Sequence, residues 1–206
     1  MQTLNRLKSE RPRRKYDFYE TPIELCQYSL GELILDEGRI FSDVLDAGCG
    51  KGVWGSALHG LYSVQELSNL SLDGVDTQDI ESNLCYTAWY HGDFLSLKAS
   101  GYDLIMGNPP YSLAEEFVRK SFELIKDGGY VFFLLRLAFL ESKKRYFGLF
   151  DEFPPKRVYV LSRRPSFFSS NGKTKTTDAL SYAMFLWQKG WKGKTELDWL
   201  YWEYEK

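Results

Sequence analysis

From Gly48 to Gly52 glycine recurs at every second position, directly after the apolar run Val44-Leu45-Asp46-Ala47. Glycines let a chain turn tightly and bring its backbone close to a ligand. The segment therefore predicts a short buried strand over 43–47, a ligand-facing loop, and a helix from about 53 to 60. The spacing is Asp-x-Gly-x-Gly-x-Gly, whereas dinucleotide folds use Gly-x-Gly-x-x-Gly, and no Gly-Lys-Ser/Thr follows to make a phosphate loop. Leu72-Asp73-Gly74-Val75-Asp76 predicts a second strand that closes on an acid suited to the two hydroxyls of a ribose. A third strand, over 86–91, runs into His91-Gly92-Asp93-Phe94, again with an acid just past its end.

Asn108-Pro109-Pro110-Tyr111 follows the apolar run 102–107, which reads as another buried strand. Ser112 and Glu115 have capping-box spacing and predict a helix over 112–126, stopped by Gly128-Gly129. The tetrapeptide thus sits on the loop at the carboxyl end of a strand, where open α/β sheets bind ligands. Consecutive prolines fix the backbone and leave carbonyls with no local N–H partner. Asn108 adds a side-chain acceptor and Tyr111 a flat face with a polar tip. The combination suits a planar amine that donates both hydrogens while its ring stacks on the tyrosine.

The remaining pattern continues the alternation of strands and helices. A helix near 22–36 begins at Tyr19-Glu20-Thr21-Pro22, with Thr21 as its cap and Pro22 in the first turn. Tyr130 to Leu135 reads as a central strand, followed by an amphipathic helix around 138–149. Strands are predicted at 157–161 and 180–188, the latter at a hairpin edge, with a polar loop over 165–177 between them. A further edge strand is predicted near 199–204. Strands alternating with helices specify an α/β fold.

With 206 residues, 44% hydrophobic and 26% charged, the chain has the composition of one soluble globular domain. The longest apolar run is far too short to span a membrane and no signal peptide is evident, so a cytoplasmic location is expected. Cys26, Cys49 and Cys85 form no Cys-x-x-Cys pair, and His59 and His91 are the only histidines. Neither a disulfide framework nor a metal centre is expected. The net charge of −2 conceals segregation. Residues 1–15 carry Arg6, Lys8, Arg11, Arg13, Arg14 and Lys15 against Glu10, and residues 156–175 carry six bases and no acid. Such blocks are the expected footprint of a polyanion partner.

Taken together, these segments resemble the S-adenosylmethionine-dependent amino-methyltransferases of DNA, especially the adenine-N6 type. The resemblance covers residues 16–188. It is specific at the glycine loop and at Asn108-Pro109-Pro110-Tyr111, and positional elsewhere. It implies a class I, Rossmann-like methyltransferase fold: a mostly parallel seven-stranded sheet with one antiparallel strand and helices on both faces. Asp46, Gly48, Gly50 and Gly52 match the first cofactor motif. Asp76 matches the ribose ligand, and Asp93-Phe94 the contact to the cofactor adenine. Tyr19, Thr21 and Pro22 match a Tyr/Phe-x-Thr-Pro element at the methionine end, and Asn108 also borders the cofactor. Arg163-Arg164-Pro165-Ser166-Phe167 resembles a late motif whose aromatic packs on the flipped base, with Phe168 as the substitute if the register differs by one.

The implied cofactor is S-adenosyl-L-methionine and the implied partner is DNA, with RNA as an open possibility. The implied reaction transfers a methyl group to the exocyclic N6 of an adenine flipped out of the helix. Residues 1–15 are expected to form a basic arm. Residues 16–206 are expected to form one methyltransferase domain with a substrate-facing basic insertion around 137–180. Alternatives are methylation of RNA, methylation of a protein glutamine amide, and a catalytically inactive nucleic-acid-binding subunit; monomer and homodimer are both open.

Overall fold

A computed structural model describes residues 19–78, 85–169 and 180–204. Its centre is an eight-stranded sheet in the order β10-β7-β9-β6-β5-β2-β3-β4. These strands are β2 (Asp43–Ala47), β3 (Ser71–Asp76), β4 (Ala88–His91), β5 (Tyr102–Gly107), β6 (Ile125–Arg136), β7 (Arg157–Leu161), β9 (Tyr182–Gln188) and β10 (Glu196–Leu200). Only β9 runs antiparallel to its neighbours. A separate antiparallel pair joins β1 (Tyr19–Glu20) to β8 (Phe168–Ser169).

Both faces of the sheet are covered, so its strands read as nearly continuous apolar runs. Tyr130, Phe132 and Leu134 of β6 face α1 (Ile23–Glu37) and α2 (Val53–Leu61), packing with Leu30 and Trp54. Val131, Phe133 and Leu135 face α4 (Ala114–Leu124), packing with Phe117 and Val118. The short α3 (Val64–Leu67), which no sequence signal led us to expect, starts at a Ser63–Glu66 capping box. No helix among the described residues is long and apolar enough to cross a membrane.

Four expectations need correction. The sheet has eight strands, because β10 adds to β7 with Glu196 opposite Arg157. Strand β9 lies in the interior: it pairs with β6 and β7 on its two sides, and its aromatics are buried in both layers. The helix expected over 138–149 is broken into a 3₁₀ turn at Leu137–Leu140, α5 (Lys143–Phe147) and α6 (Leu149–Glu152). Ser142 starts a new helix by accepting the Arg145 N–H, and Gly148 ends it. Gly128-Gly129 does not stop α4, which ends at Leu124 when Ile125 turns extended; the two glycines accompany a register shift between β5 and β6.

Candidate active site

The sheet reverses its winding between β2 and β5, and ligands in open α/β folds bind at such switch points. The glycine loop leaves the carboxyl end of β2, and Asn108 leaves the carboxyl end of its neighbour β5. Gly107 brings the two together. Its φ is +146°, and a Cβ there would lie 2.7 Å from the Ala47 carbonyl oxygen, so no larger residue allows this approach. No sequence signal marks Gly107, because the need for glycine arises only from the neighbouring strand.

In the glycine loop Gly48, Gly50 and Gly52 all have positive φ. The amides of Gly48 and Cys49 donate to the Val75 carbonyl, tying the loop to β3. Asp76 ends β3 and accepts the Gly50 N–H at 2.9 Å on one oxygen and the Gln78 N–H at 2.8 Å on the other. Each oxygen keeps a further lone pair, which is what a vicinal diol requires. A loop with glycine at every second position beside such an acceptor fits a nucleoside-bearing cofactor. Asp93, just past β4, uses its carboxylate to cap the 3₁₀ turn Phe94–Ser96 through the Leu95 N–H. Phe94 is buried and stacks on Phe117 with ring centres 4.6 Å apart.

Asp46 lies fully buried beneath the loop, and its partner is a residue that no sequence motif singles out. The Tyr86 hydroxyl donates to Asp46 Oδ2 at 2.7 Å. The Tyr86 ring fills space left by three glycines: a Cβ on Gly55 or Gly74 would come within about 3.0 Å of it, and one on Gly52 within 3.4 Å. Gly55 and Gly74 are therefore needed for Tyr86, whereas Gly52, with a φ of +80°, is needed for the loop turn. Burial pushes the Asp46 carboxyl up to about 7, against the opposing pull of the Tyr86 hydrogen bond. Burial beside Asp46 drives the Tyr86 hydroxyl far above its ordinary range. Motif spacing cannot signal this pair, since 40 residues separate its members.

Asn108 is positioned by the opposite end of the chain. Its Nδ2 donates to Thr21 Oγ1 at 3.2 Å, across 87 residues. The expected Thr21 cap is not formed; the helix starts with Pro22 at the cap position and no side-chain cap bond, and buried Thr21 serves Asn108 instead. Glu20 meanwhile pairs with Lys51 of the glycine loop at 3.1 Å, so residues 20–21 link both loops. Pro22 and Pro109 are buried and Pro110 is exposed. The Ser112 capping box is likewise replaced, here by a 3₁₀ turn at Tyr111–Leu113 that precedes α4.

Tyr111 folds over the end of the sheet with its ring centre 5.6 Å from that of Tyr182, and burial raises its hydroxyl pKa well above the ordinary value. Arg136 lies over the same ring at 4.8 Å. Phe167 is 4% exposed and packs edge-on against Tyr182. It belongs to the core, which leaves Tyr111 nearer the loop. Of its alternative Phe168, only the backbone is described, paired with Glu20.

The basic cluster is split by the direction of β7. Lys156 and Arg157 stand at its amino end, opposite the site, where they pair with Glu37 and with Asp36 and Glu196. They are spoken for and cannot serve a ligand at Asn108. Arg163 and Arg164 follow its carboxyl end and are exposed; the Arg163 guanidinium lies 4.9 Å from the Tyr204 ring centre. The arm 1–15, Lys173 and Lys175 lie outside the described residues, as does the Tyr19 side chain.

A sheet with this order, this single reversed strand and a ligand loop at the switch point is the class I methyltransferase fold. Its similarity to solved structures is of that fold. A Pyrococcus horikoshii protein provisionally described as an RNA methyltransferase superposes with a TM-score of 0.62 at 16% identity, covering 87% of this chain and 90% of that one. A Listeria monocytogenes protein provisionally described as a class I S-adenosylmethionine-dependent methyltransferase gives 0.61 at 14% identity over 87% of this chain. The match spans 65% of the Listeria protein's own length. The magnesium protoporphyrin IX methyltransferase of Synechocystis, solved with S-adenosylmethionine bound, gives 0.52 at 12% identity, covering 81% of this chain and 79% of that one. No family model matches the chain, and no curated protein does.

Proposed function

We propose that this chain is an S-adenosylmethionine-dependent N-methyltransferase that acts on the exocyclic N6 of adenine in DNA. The observation that carries the reading is the junction of Asn108-Pro109-Pro110-Tyr111 with the glycine loop at one switch point, with Asn108 anchored by Thr21. S-adenosylmethionine supplies an electrophilic methyl group when bound. Asp76 would hold the ribose of its nucleoside, with the backbone of the glycine loop packed against it. The amine of adenine is a poor nucleophile because its lone pair is delocalised into the ring. The Asn108 amide directs its nitrogen to Thr21, so its carbonyl oxygen is the end that accepts a substrate N–H, with the Pro109 carbonyl as the second acceptor. Two such bonds withdraw the lone pair from the ring's π system and localise it on the nitrogen, on the face turned to the methyl donor. Rate enhancement then comes from orientation and from acceptors matched to developing positive charge. A duplex base must leave the stack to reach this loop, and Tyr111 offers it an aromatic face.

Methylation of adenine in RNA is the second reading, favoured by the provisional description of the Pyrococcus neighbour. Nucleoside mass spectrometry of DNA and RNA from cells expressing wild type or Asn108→Ala separates the two. N6-methyladenine in DNA that depends on Asn108 supports the first reading; its appearance only in RNA selects the second. Its absence from both, with a glutamine-containing protein methylated, overturns both.

A further inference from the structure

Arg136 closes β6 at the same end of the sheet as Asn108, and the catalytic reading leaves it without a task. Its guanidinium lies 4.8 Å from the Tyr111 ring centre, over a face that a base would use. It has no hydrogen-bond or ion-pair partner among the described residues, and its Nε is buried. Arg119, Arg145 and Arg157, by contrast, are tied down: Arg119 by Glu115 and Glu152, Arg145 by three backbone carbonyls, Arg157 by Asp36 and Glu196. A guanidinium has five donors and no acceptor, and a buried donor without a partner is costly. Such a group marks a place where a ligand supplies the acceptor.

Its position defines what that ligand carries. Gly107 of β5 pairs with Phe133 of β6, so Arg136 stands three residues further along its strand, roughly 10 Å beyond the start of the Asn108 loop. A planar amine held at Asn108 and lying along Tyr111 therefore points its far end at Arg136. The planar fork of a guanidinium matches phosphate oxygens in a bidentate fashion. A positive charge also belongs away from an amine that becomes cationic, and the strand offset provides that separation. We propose that Arg136 binds the phosphate of the target nucleotide while Asn108 holds its amine. Without substrate the guanidinium rests on Tyr111; the incoming base takes over the ring face and the phosphate takes over the cation.

This inference rests on the nucleic-acid reading above, and its test separates the two. Binding would be measured by fluorescence anisotropy for short adenine-containing single strands, as DNA and as RNA, with natural linkages or with neutral methylphosphonates flanking the adenine. S-adenosylhomocysteine binding by calorimetry is the control. For wild type, neutralising the linkages should weaken binding on the order of tenfold. Arg136→Gln should start about tenfold weaker, lose most of its sensitivity to the neutral linkage, and bind S-adenosylhomocysteine normally. Arg136→Lys, which keeps the charge without the fork, should recover part of the loss. If Arg136→Gln shows the same linkage sensitivity as wild type, Arg136 does not touch the phosphate, and the substrate reading survives without it. If wild type binds S-adenosylhomocysteine but no strand of either kind, the nucleic-acid reading falls and this inference with it.

Discussion

The buried Asp46–Tyr86 pair makes stability depend on pH in a direction opposite to that of most carboxylates. Asp46 is raised from 3.8 to about 7, chiefly by burial. Between those values the folded protein holds a proton that the unfolded chain has lost. Stability therefore falls as pH rises through that window and levels off above about 7. Each pH unit is worth 1.36 kcal/mol, so the window is worth about 4 kcal/mol for a group with no solvent to screen it. Asp46→Asn resembles the protonated form and abolishes this contribution. The gap between its stability and that of wild type should change by about 4 kcal/mol between pH 4 and 8, since all other groups titrate alike in both proteins. Tyr86→Phe removes the donor that favours the carboxylate. It should cost about 1.5–3 kcal/mol at pH 8 and less at pH 5, pushing the falling limb up by about 1–2 pH units. Urea denaturation followed by tryptophan fluorescence at successive pH values reads both effects. Parallel stability curves for wild type and Asp46→Asn across pH 4–8 would refute the reasoning, because a carboxylate that titrates normally cannot be buried as described.

Asp76→Ala should weaken S-adenosylmethionine binding by about 1.5–3 kcal/mol in calorimetry, and also loosen the glycine loop by freeing the Gly50 N–H. Asn108→Ala should leave cofactor binding nearly intact and slow methyl transfer by roughly a hundredfold or more, with Thr21→Val giving a smaller loss of the same kind in single-turnover assays. Gly107→Ala should cost about 1–3 kcal/mol of folding stability in the same urea titration, through backbone strain and the clash with Ala47. Replacing Arg163 and Arg164 by alanine should reduce the slope of log affinity for DNA against log salt by about 1 for each phosphate that these side chains neutralise; the same change at Lys156 should leave the slope alone and lower stability.

Most individual elements were legible because their signals are local. The apolar run before Gly48 becomes β2, and 102–107 becomes β5, since periodicity and glycine or proline punctuation depend on neighbours in sequence. The Asn108 loop and the acid of Asp76 could be placed at strand ends for the same reason. Local signals failed where a partner from elsewhere competed for the same atoms. Thr21 has the form of a cap, yet its hydroxyl goes to Asn108. Ser142 and Gly148 divide a segment whose apolar spacing suggests one helix. The aromatic run 182–188 cannot reveal that it inserts between β6 and β7, because strand order is settled by which edges are free when the sheet closes. The same is true of charge. Lys156, Arg157, Arg163 and Arg164 form one basic stretch along the chain, but a five-residue strand carries the pairs to opposite ends of the sheet. Arg136 and Tyr86 have no motif at all. Each gains its character from what surrounds it: Tyr86 from three glycines and a buried acid, Arg136 from an aromatic face and the lack of an anion beside it among the described residues.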